Sequence, residues 1–132
     1  MFYILRTIEV YRLMWQTTSM RCLYQPARDE LSLPSVLYSL SDPVRLRIVQ
    51  LLAESSDRPC GTFGIPLAKA TISHHFKVLR EAGVVSVRGE GTQRLNSLRR
   101  DDLESRFPGL LDAVLRATDT AATRLPVTAA SA

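Results

Sequence analysis

Residues 69–83 read KATISHHFKVLREAG and form the most regular segment of the chain. Ile72, Phe76 and Leu79 occupy positions i, i+4 and i+7, which is the spacing of one face of an α-helix. Gly83 is suited to end that helix because glycine adopts the left-handed backbone conformation without steric cost. The segment therefore predicts an amphipathic helix whose apolar face is directed into a core.

The pattern becomes alternating in residues 84–98, VVSVRGEGTQRLNSL. Val85 and Val87 lie on one face of an extended strand. Gly89-Glu90-Gly91 separates the two halves and has the composition of a hairpin turn. A two-stranded β-ribbon is therefore predicted to follow the helix directly.

A second helix is predicted to begin at Pro43, upstream of the first. Asp42 is a good N-cap, and proline suits the first helical position. The apolar face of this helix consists of Val44, Ile48, Leu51 and Leu52. Arg45, Arg47 and Gln50 fall elsewhere, so we interpret the segment as a core helix with a basic outer face.

The connector between the two helices, residues 58–68, is rich in residues that interrupt helices. These are Pro59, Gly61, Gly64 and Pro66. Proline lacks the backbone N–H that a helix interior uses, and glycine favours turns. We therefore expect only a short, irregular helix of one or two turns around residues 62–67.

A helical pattern returns in residues 108–122, with Pro108 near its start. One stripe of this helix consists of Leu110, Leu111, Val114, Leu115 and Thr118. A domain of this size offers the stripe no obvious partner, so we predict a C-terminal dimerisation helix. Residues 123–132 are rich in alanine and threonine and are predicted to fray.

Length and composition indicate one globular domain with appendages. The chain has 132 residues, of which 45% are hydrophobic and 23% charged, as in an ordinary soluble protein. We place the domain at residues 31–107. Residues 1–30 are an N-terminal extension with two open interpretations, a helical arm that packs across a dimer partner or a mis-assigned start whose true position is Met20.

The apolar N-terminus is not expected to span a membrane, because Arg6, Glu9 and Arg12 interrupt it. It also carries no recognisable secretory signal, and two cysteines, Cys22 and Cys60, are too few for a disulfide framework. The sequence thus predicts a cytoplasmic protein.

Positive charge is concentrated in residues 69–100, which contain 7 Lys/Arg and 2 Asp/Glu, whereas the whole chain has a net charge of +4. The helix face opposite the apolar one consists of Ala70, Ser73, His74 and Lys77. Lys69 and Thr71 lie at the helix N-terminus, which favours a phosphate. Small, hydroxylic and basic side chains suit entry into a DNA major groove. The alternative is a solvated helix face that binds nothing.

The predicted ribbon strengthens the DNA-binding interpretation. Arg88 and Arg94 flank a small Gly-Glu-Gly tip that can follow a minor groove or the phosphate backbone. A short helix, a turn, a basic helix and a basic hairpin, in that order, make up a winged helix-turn-helix. We therefore predict a mainly α-helical fold with a small two-stranded β-wing, whose partner is double-stranded DNA.

Three segments resemble the ArsR/SmtB-like winged helix-turn-helix repressors, namely LSDPVRLRIVQLL at 40–52, ATISHHFKVLREAGVV at 70–85 and RGEGTQRLNSL at 88–98. The resemblance covers residues 33–115 and preserves the order of the elements. It implies a homodimer that binds operator DNA, represses transcription, and releases the DNA on sensing a metal, an oxidant or another signal.

The resemblance also implies which residues meet the DNA. The recognition helix and the wing are lined by Ser73, His74, His75, Lys77, Arg88 and Arg94. His75 lies nearer the side of Ile72 and Leu79, so we expect it to be half-buried and to hold the helix in position.

The chain differs from the metal-sensing members of this family at both of their sites. Their thiolate site uses a Cys-x-Cys pair before the recognition helix, where this chain has the single Cys60. Their other site uses Asp and His pairs on the C-terminal helix, and residues 108–122 contain no histidine. His74 and His75 point about 100° apart on a helix and cannot close on one ion. We predict no metal and no cofactor.

The two cysteines leave one alternative open. If Cys22 and Cys60 meet, within the chain or across a dimer, they form a disulfide switch or a two-thiolate metal site. The protein is then a thiol-based, redox- or metal-responsive repressor. The simpler interpretation is two reduced cysteines that behave as small hydrophobic residues.

Two other classes of function compete with a DNA-binding repressor. An enzyme needs an activated nucleophile or a phosphate loop, but the sequence contains no G-x-S-x-G, Walker or HExxH motif, so no catalysis is expected. A protein-interaction module that keeps the winged fold binds DNA without sequence preference. A binding experiment separates these interpretations.

Overall fold

The structure, a computed structural model, describes residues 23–119, apart from the side chain of Cys60. The N-terminal extension up to residue 22, including both candidate start sites and Cys22, lies outside the described residues, as does the predicted tail. No helix in the described part of the chain is both long and apolar enough to cross a bilayer.

Five α-helices and three β-strands follow one another between residues 23 and 119. The helices are α1 (Leu33–Ser39), α2 (Pro43–Glu54), α3 (Lys69–Glu81), α4 (Arg100–Arg106) and α5 (Leu110–Asp119). The strands are β1 (Arg58–Pro59), β2 (Val85–Glu90) and β3 (Gln93–Leu98). Short 3-10 helices lie at Arg28–Glu30 and Cys60–Thr62. The predicted fold class, mainly helical with a small antiparallel wing, is confirmed.

Both of the first two α-helices begin at capped positions. The Ser32 hydroxyl accepts a hydrogen bond from the Ser35 N–H at the start of α1, at 3.3 Å. Asp42 Oδ1 accepts from the N–H groups of Val44 and Arg45 at 2.8 and 3.2 Å. An N-cap of this kind stabilises a helix by about 1 kcal/mol. The predicted start of α2 is therefore confirmed.

The helical pattern predicted that Arg45 lies on a basic outer face of α2, and this prediction is wrong. The residue is only 7% exposed, and its Nε donates a hydrogen bond to the carbonyl of Ser39 at 2.6 Å. A buried guanidinium is stable only where its N–H groups find acceptors. The C-terminal end of α1 supplies them, which the pattern within α2 alone does not show.

The hydrophobic core lies where α2, α3 and the wing meet. Ile48 of α2, Leu79 of α3 and Val85 of β2 are fully buried. Burying a side chain of this size contributes roughly 1.5–3 kcal/mol. Phe76 of α3 packs edge to face on Phe63, with ring centroids 5.0 Å apart.

The connector before α3 is less helical than predicted. The expected helix around residues 62–67 is absent, and a 3-10 helix at Cys60–Thr62 follows the two-residue strand β1 instead. Gly64 has a φ of 62°, which no regular helix accommodates, and Pro66 removes a further donor. Buried Phe63 supports α3 here in place of a helix.

The wing is an antiparallel sheet with strand order β1-β3-β2, so its base has three strands rather than two. The pairing of β2 with β3 extends to Glu90 opposite Gln93. The turn therefore consists of Gly91 and Thr92, and the predicted tip, which began at Gly89, is wrong by two residues. Gly91 has a φ of 62°, the positive value that a two-residue hairpin turn requires.

Gly83 ends α3, as predicted, with a φ of 84°. Its N–H donates to the carbonyl of Arg80 and the Val84 N–H donates to that of Leu79, each at 3.0 Å. These bonds satisfy carbonyls that the helix leaves without a partner. A Cβ at this position would also overlap the side chain of Leu31. Both the positive φ and this contact therefore require glycine.

Helices α4 and α5 follow the wing and close the fold. Leu103 of α4 is buried in the core. Arg99 Nη1 donates to the carbonyl of Pro26 at 2.7 Å, and Arg106 Nη2 donates to that of Leu31 at 2.9 Å. The segment before α1 is therefore anchored to α4.

Candidate nucleic-acid interface

The outer face of α3 carries small, hydroxylic and basic side chains. Its exposed residues include Ala70, Ser73, His74 and Lys77. Phe76 and Leu79 are buried on the opposite side, so the predicted division of this helix into two faces is confirmed. The helix has 13 residues, about 20 Å at 1.5 Å per residue. These dimensions and side chains suit a major groove about 12 Å wide.

The first turn of α3 is electrostatically suited to a phosphate. Lys69 and Thr71 are exposed there, and the turn contains no acidic residue. Ala68, at the N-cap, offers no side-chain acceptor to the backbone N–H groups. Such groups carry partial positive charge and have no partner within the helix, so they can bind an anion together with the lysine.

Lys77 lies one turn from the only acidic residue of α3, Glu81. The ammonium nitrogen and Glu81 Oε1 are 4.0 Å apart, and both side chains are largely exposed. An exposed ion pair at this separation contributes little free energy. The Lys77 ammonium is therefore available to a phosphate.

The two adjacent histidines of α3 have different surroundings. His74 is exposed, whereas His75 is half-buried, as expected, and faces α2. His75 Nδ1 is 3.8 Å from Asp42 Oδ1 and 3.4 Å from Arg45 Nη1. Burial lowers the pKa of His75, although Asp42 acts in the opposite direction. The outer face of α3 thus includes His74 and excludes His75.

Arg88 and Arg94 lie on opposite faces of the wing. Residues directly opposite each other on antiparallel strands share a face, and successive residues alternate. Arg88 is opposite Leu95, whereas Arg94 is opposite Gly89, the residue next to Arg88. A single surface laid against the wing therefore meets one of the two arginines, which their spacing in the sequence does not reveal.

Arg88 contacts two carboxylates. Its Nη1 is 3.2 Å from Asp57 Oδ1, and its Nη2 is 3.3 Å from Glu90 Oε2. Asp57 also accepts a hydrogen bond from the Ser97 hydroxyl at 2.6 Å, and its φ is 58°. Asp57 is a residue of the site that the sequence pattern did not indicate, and its only local signal is that it follows two serines at the end of α2.

No metal site is present among the described residues, since no three His, Cys, Asp or Glu side chains there lie close enough to hold an ion. The ring centroids of His74 and His75 are 6.0 Å apart. Cys60 begins the 3-10 helix before α3, but its side chain and all of Cys22 are outside the described part. The thiol-based alternative therefore stays a prediction.

The apolar stripe of α5 is used largely within the chain. Leu111 and Thr118 are buried. The half-buried members of the stripe are Leu110, Val114 and Leu115, which pack against the core. The expectation that this stripe lacks a partner in its own chain is therefore wrong, because helical spacing shows which residues share a face but not what covers it.

Comparison with known proteins matches this part of the chain to a family of regulatory proteins. The family model described as bacterial regulatory protein, arsR family, matches residues 42–87. That range contains α2, the connector, α3 and the beginning of β2, which are the elements that position the outer face of α3.

Two curated relatives are uncharacterised HTH-type transcriptional regulators. The one from Bacillus subtilis, YceK, is 37% identical over 82 residues, which are 60% of this chain and 82% of the relative. The one from Methanocaldococcus jannaschii is 41% identical over 59 residues, 43% of this chain and 66% of the relative. Among solved structures, the transcriptional repressor BigR from Xylella fastidiosa aligns with a TM-score of 0.52 and 29% identity, over 66% of this chain and 86% of that one.

Proposed function

This chain belongs to the arsR family of bacterial regulatory proteins, and from that premise we propose that it represses transcription by binding operator DNA as a homodimer. The observation that carries the proposal is the outer face of α3, from Lys69 to Lys77. Over these residues the face is basic or neutral, while the opposite side of the helix is fixed in the core.

In the proposed complex α3 enters the major groove. Ser73 and His74 lie midway along the exposed face, so they are the side chains that donate to base edges. Lys69 and Lys77 bind phosphates on either side of the groove. The wing lies edge-on in the minor groove, where Arg88 and Arg94, on its two faces, each meet one row of phosphates.

The proposed dimer face combines two helices. The half-buried leucines and valine of the α5 stripe contribute one part, which is the surface that the core of their own chain leaves exposed. Leu33 and Leu37 contribute the other, because they lie one turn apart on α1 and are exposed, as is the neighbouring Tyr38. Exposed apolar side chains at helical spacing are typical of a surface that a partner covers. Replacing both leucines with serine is expected to shift the protein to a monomer in analytical ultracentrifugation.

The experiment that tests repression is a titration of the promoter region of the protein's own gene against a random duplex of equal length. We expect preference for the promoter and a linear fall of log affinity with log salt. Six phosphate contacts give a slope of about −5. Equal affinity for the random duplex would overturn the repressor and support the protein-interaction module.

Two substitutions test the assigned surface. Lys77→Ala and Arg94→Ala are expected to weaken binding to all duplexes and to lower the salt slope by about one each. Arg116→Ala is the matched control, because it removes the same charge from an exposed position on α5. If the control weakens binding as much as the other two, the assignment of α3 and the wing is wrong.

We propose two alternatives for the control of DNA binding. Either a thiol-based switch through Cys22 and Cys60 releases the operator, or the repressor has no inducer. Operator titrations under reducing, oxidising and metal-loaded conditions distinguish them. A double Cys→Ser variant that still responds excludes the thiols. The relatives are transcriptional regulators, and we propose no catalytic role for this chain.

A further inference from the structure

We propose that Arg45 is a positioning residue for α3, acting through a neutral His75 whose ring proton is held on Nε2. The contact joins the end of α1, the body of α2 and the DNA-facing helix. The inference rests on the proposed function of α3, but the state of His75 can be tested in the free protein.

Arg45 is rooted in α2 and closes the C-terminal end of α1. Its Nε donates to the carbonyl of Ser39 at 2.6 Å, and its Nη2 donates to that of Tyr38 at 3.3 Å. The guanidinium carbon also lies 5.6 Å from the centroid of the Tyr38 ring. Carbonyls at a helix C-terminus lack partners within the helix and attract cations. These contacts fix the guanidinium in one place.

The remaining arm of the guanidinium points at α3, with Arg45 Nη1 3.4 Å from His75 Nδ1. Arginine only donates hydrogen bonds, so this contact requires Nδ1 to be an acceptor. The alternative is an Nδ1–H that donates to Asp42, but that separation is 3.8 Å, beyond hydrogen-bond length. Asp42 Oδ1 already accepts two backbone N–H groups. The geometry therefore selects the tautomer with the proton on Nε2.

Protonation of His75 is incompatible with this arrangement. It turns Nδ1 into a donor and brings an imidazolium against the guanidinium. The charged neighbours of His75 are Asp42, which attracts the imidazolium, and Arg45 and His74, which repel it, while α1 carries no charged residue. Burial is the main cause that lowers the pKa of His75 from its usual 6.5, and the repulsion from Arg45 and His74 adds to it. We expect acid to release Arg45 from α3.

A direct role for His75 in DNA contact fits the structure less well. Its side chain is only 12% exposed, and its Nδ1 is directed at α2. A residue that reads a base edge has to present its donors to solvent in the free protein. His75 therefore acts on DNA binding through the placement of α3.

The chain contains two histidines, so His74→Gln leaves His75 as the only imidazole. Long-range proton–nitrogen NMR of the free His74→Gln protein is expected to show His75 with its proton on Nε2 at neutral pH. Adding Arg45→Met to this protein is expected to give a mixture of the two His75 tautomers and to raise the pKa of His75. Arg47→Met is the matched control on the same helix and should change neither. A proton on Nδ1 in the His74→Gln protein, or no response to Arg45→Met, overturns the contact.

Two variants of His75 test the positioning role even if Arg45→Met does not fold. His75→Asn keeps an acceptor at the Nδ1 position and cannot be protonated, whereas His75→Leu has no acceptor. In the His74→Gln background, which lacks the proposed contact of His74 with the bases at every pH, promoter affinity is expected to fall further when the pH is lowered from neutral to well below 6.5, because the pKa of His75 is lowered from that value. His75→Asn should bind the promoter at neutral pH as tightly as the background protein does, and its affinity should not fall at the lower pH. His75→Leu should bind roughly tenfold more weakly at both pH values.

Equal affinities for the asparagine and leucine variants overturn the positioning role. A protein of native fold that binds no duplex at all overturns the proposed function and the positioning role together. The tautomer of His75 in the free protein still decides the contact with Arg45, so the two failures are distinguishable.

Discussion

Replacing Asp57 with asparagine is expected to strengthen DNA binding, because the Asp57 carboxylate competes with phosphate for Arg88. In the free protein Arg88 Nη1 is 3.2 Å from Asp57 Oδ1. A phosphate that binds Arg88 has to displace this carboxylate and tolerate its negative charge nearby. Asparagine removes the charge and keeps an oxygen that can accept from Ser97. It also tolerates the positive φ at this position as well as aspartate does.

The size of the effect follows from exposure. The Arg88 side chain is 58% exposed and that of Asp57 43% exposed, and an ion pair between such groups is worth about 0.2–1 kcal/mol. Removing the competition is therefore expected to raise affinity by about 1.4-fold to 5-fold. Glu90 still contacts Arg88 from the other side, which keeps the gain below that of an unopposed arginine.

Fluorescence anisotropy with a labelled promoter duplex is sensitive enough for this comparison. Asp29→Asn is the matched control, since Asp29 is an exposed aspartate in the 3-10 helix Arg28–Glu30. The ratio of the two affinities should shrink as salt is added, because the Debye length falls. The reasoning about Arg88 fails if Asp57→Asn binds no more tightly than the native chain, or if Asp29→Asn gains as much.

Three further predictions concern the scaffold of the site. Gly83→Ala forces a side chain into a left-handed backbone and against a core leucine, and is expected to cost more than about 1 kcal/mol in chemical denaturation. Phe63→Ala removes the ring that supports Phe76 and should cost about 3–5 kcal/mol, with a matching fall in Tm. The pKa of Asp102 is lowered, first by a hydrogen bond from Arg28. The stabilisation that ionised Asp102 gives to the fold is therefore fully present above the usual aspartate pKa and is lost as the pH falls through the lowered value. When the free energy of unfolding is measured against pH, Asp102→Asn should therefore reduce the loss of stability on the acid side.

Local signals in the sequence were sufficient for the helices that frame the site. The spacing of Phe76 and Leu79, the cap at Asp42 and the stop at Gly83 each depend on residues within one or two turns. Interactions of this range are visible in a linear sequence. The outer face of α3 followed from the same geometry, since a helix with one face in the core has its opposite face defined.

The parts that were missed depend on contacts between distant segments. Arg45 is buried because the end of α1 supplies carbonyls to its guanidinium, a pairing that periodicity within α2 does not contain. The position of the wing tip depends on where β2 stops pairing with β3. Asp57 enters the site through Arg88, 31 residues further along the chain. Tertiary contacts of this kind override local pattern.

The placement of Arg88 and Arg94 on two faces of a ribbon limits how the wing meets a duplex. Laid flat on one phosphate row, the ribbon brings one cation to the DNA and leaves the other in water. Stood on edge between two rows, it brings a cation to each, and the gap between the rows then has to match its thickness. Minor-groove width varies with base composition and is smallest in A-tracts. In that orientation the ribbon binds best where the width of the minor groove matches its thickness. Bases that it never touches therefore contribute to the choice of operator through the spacing of their phosphates.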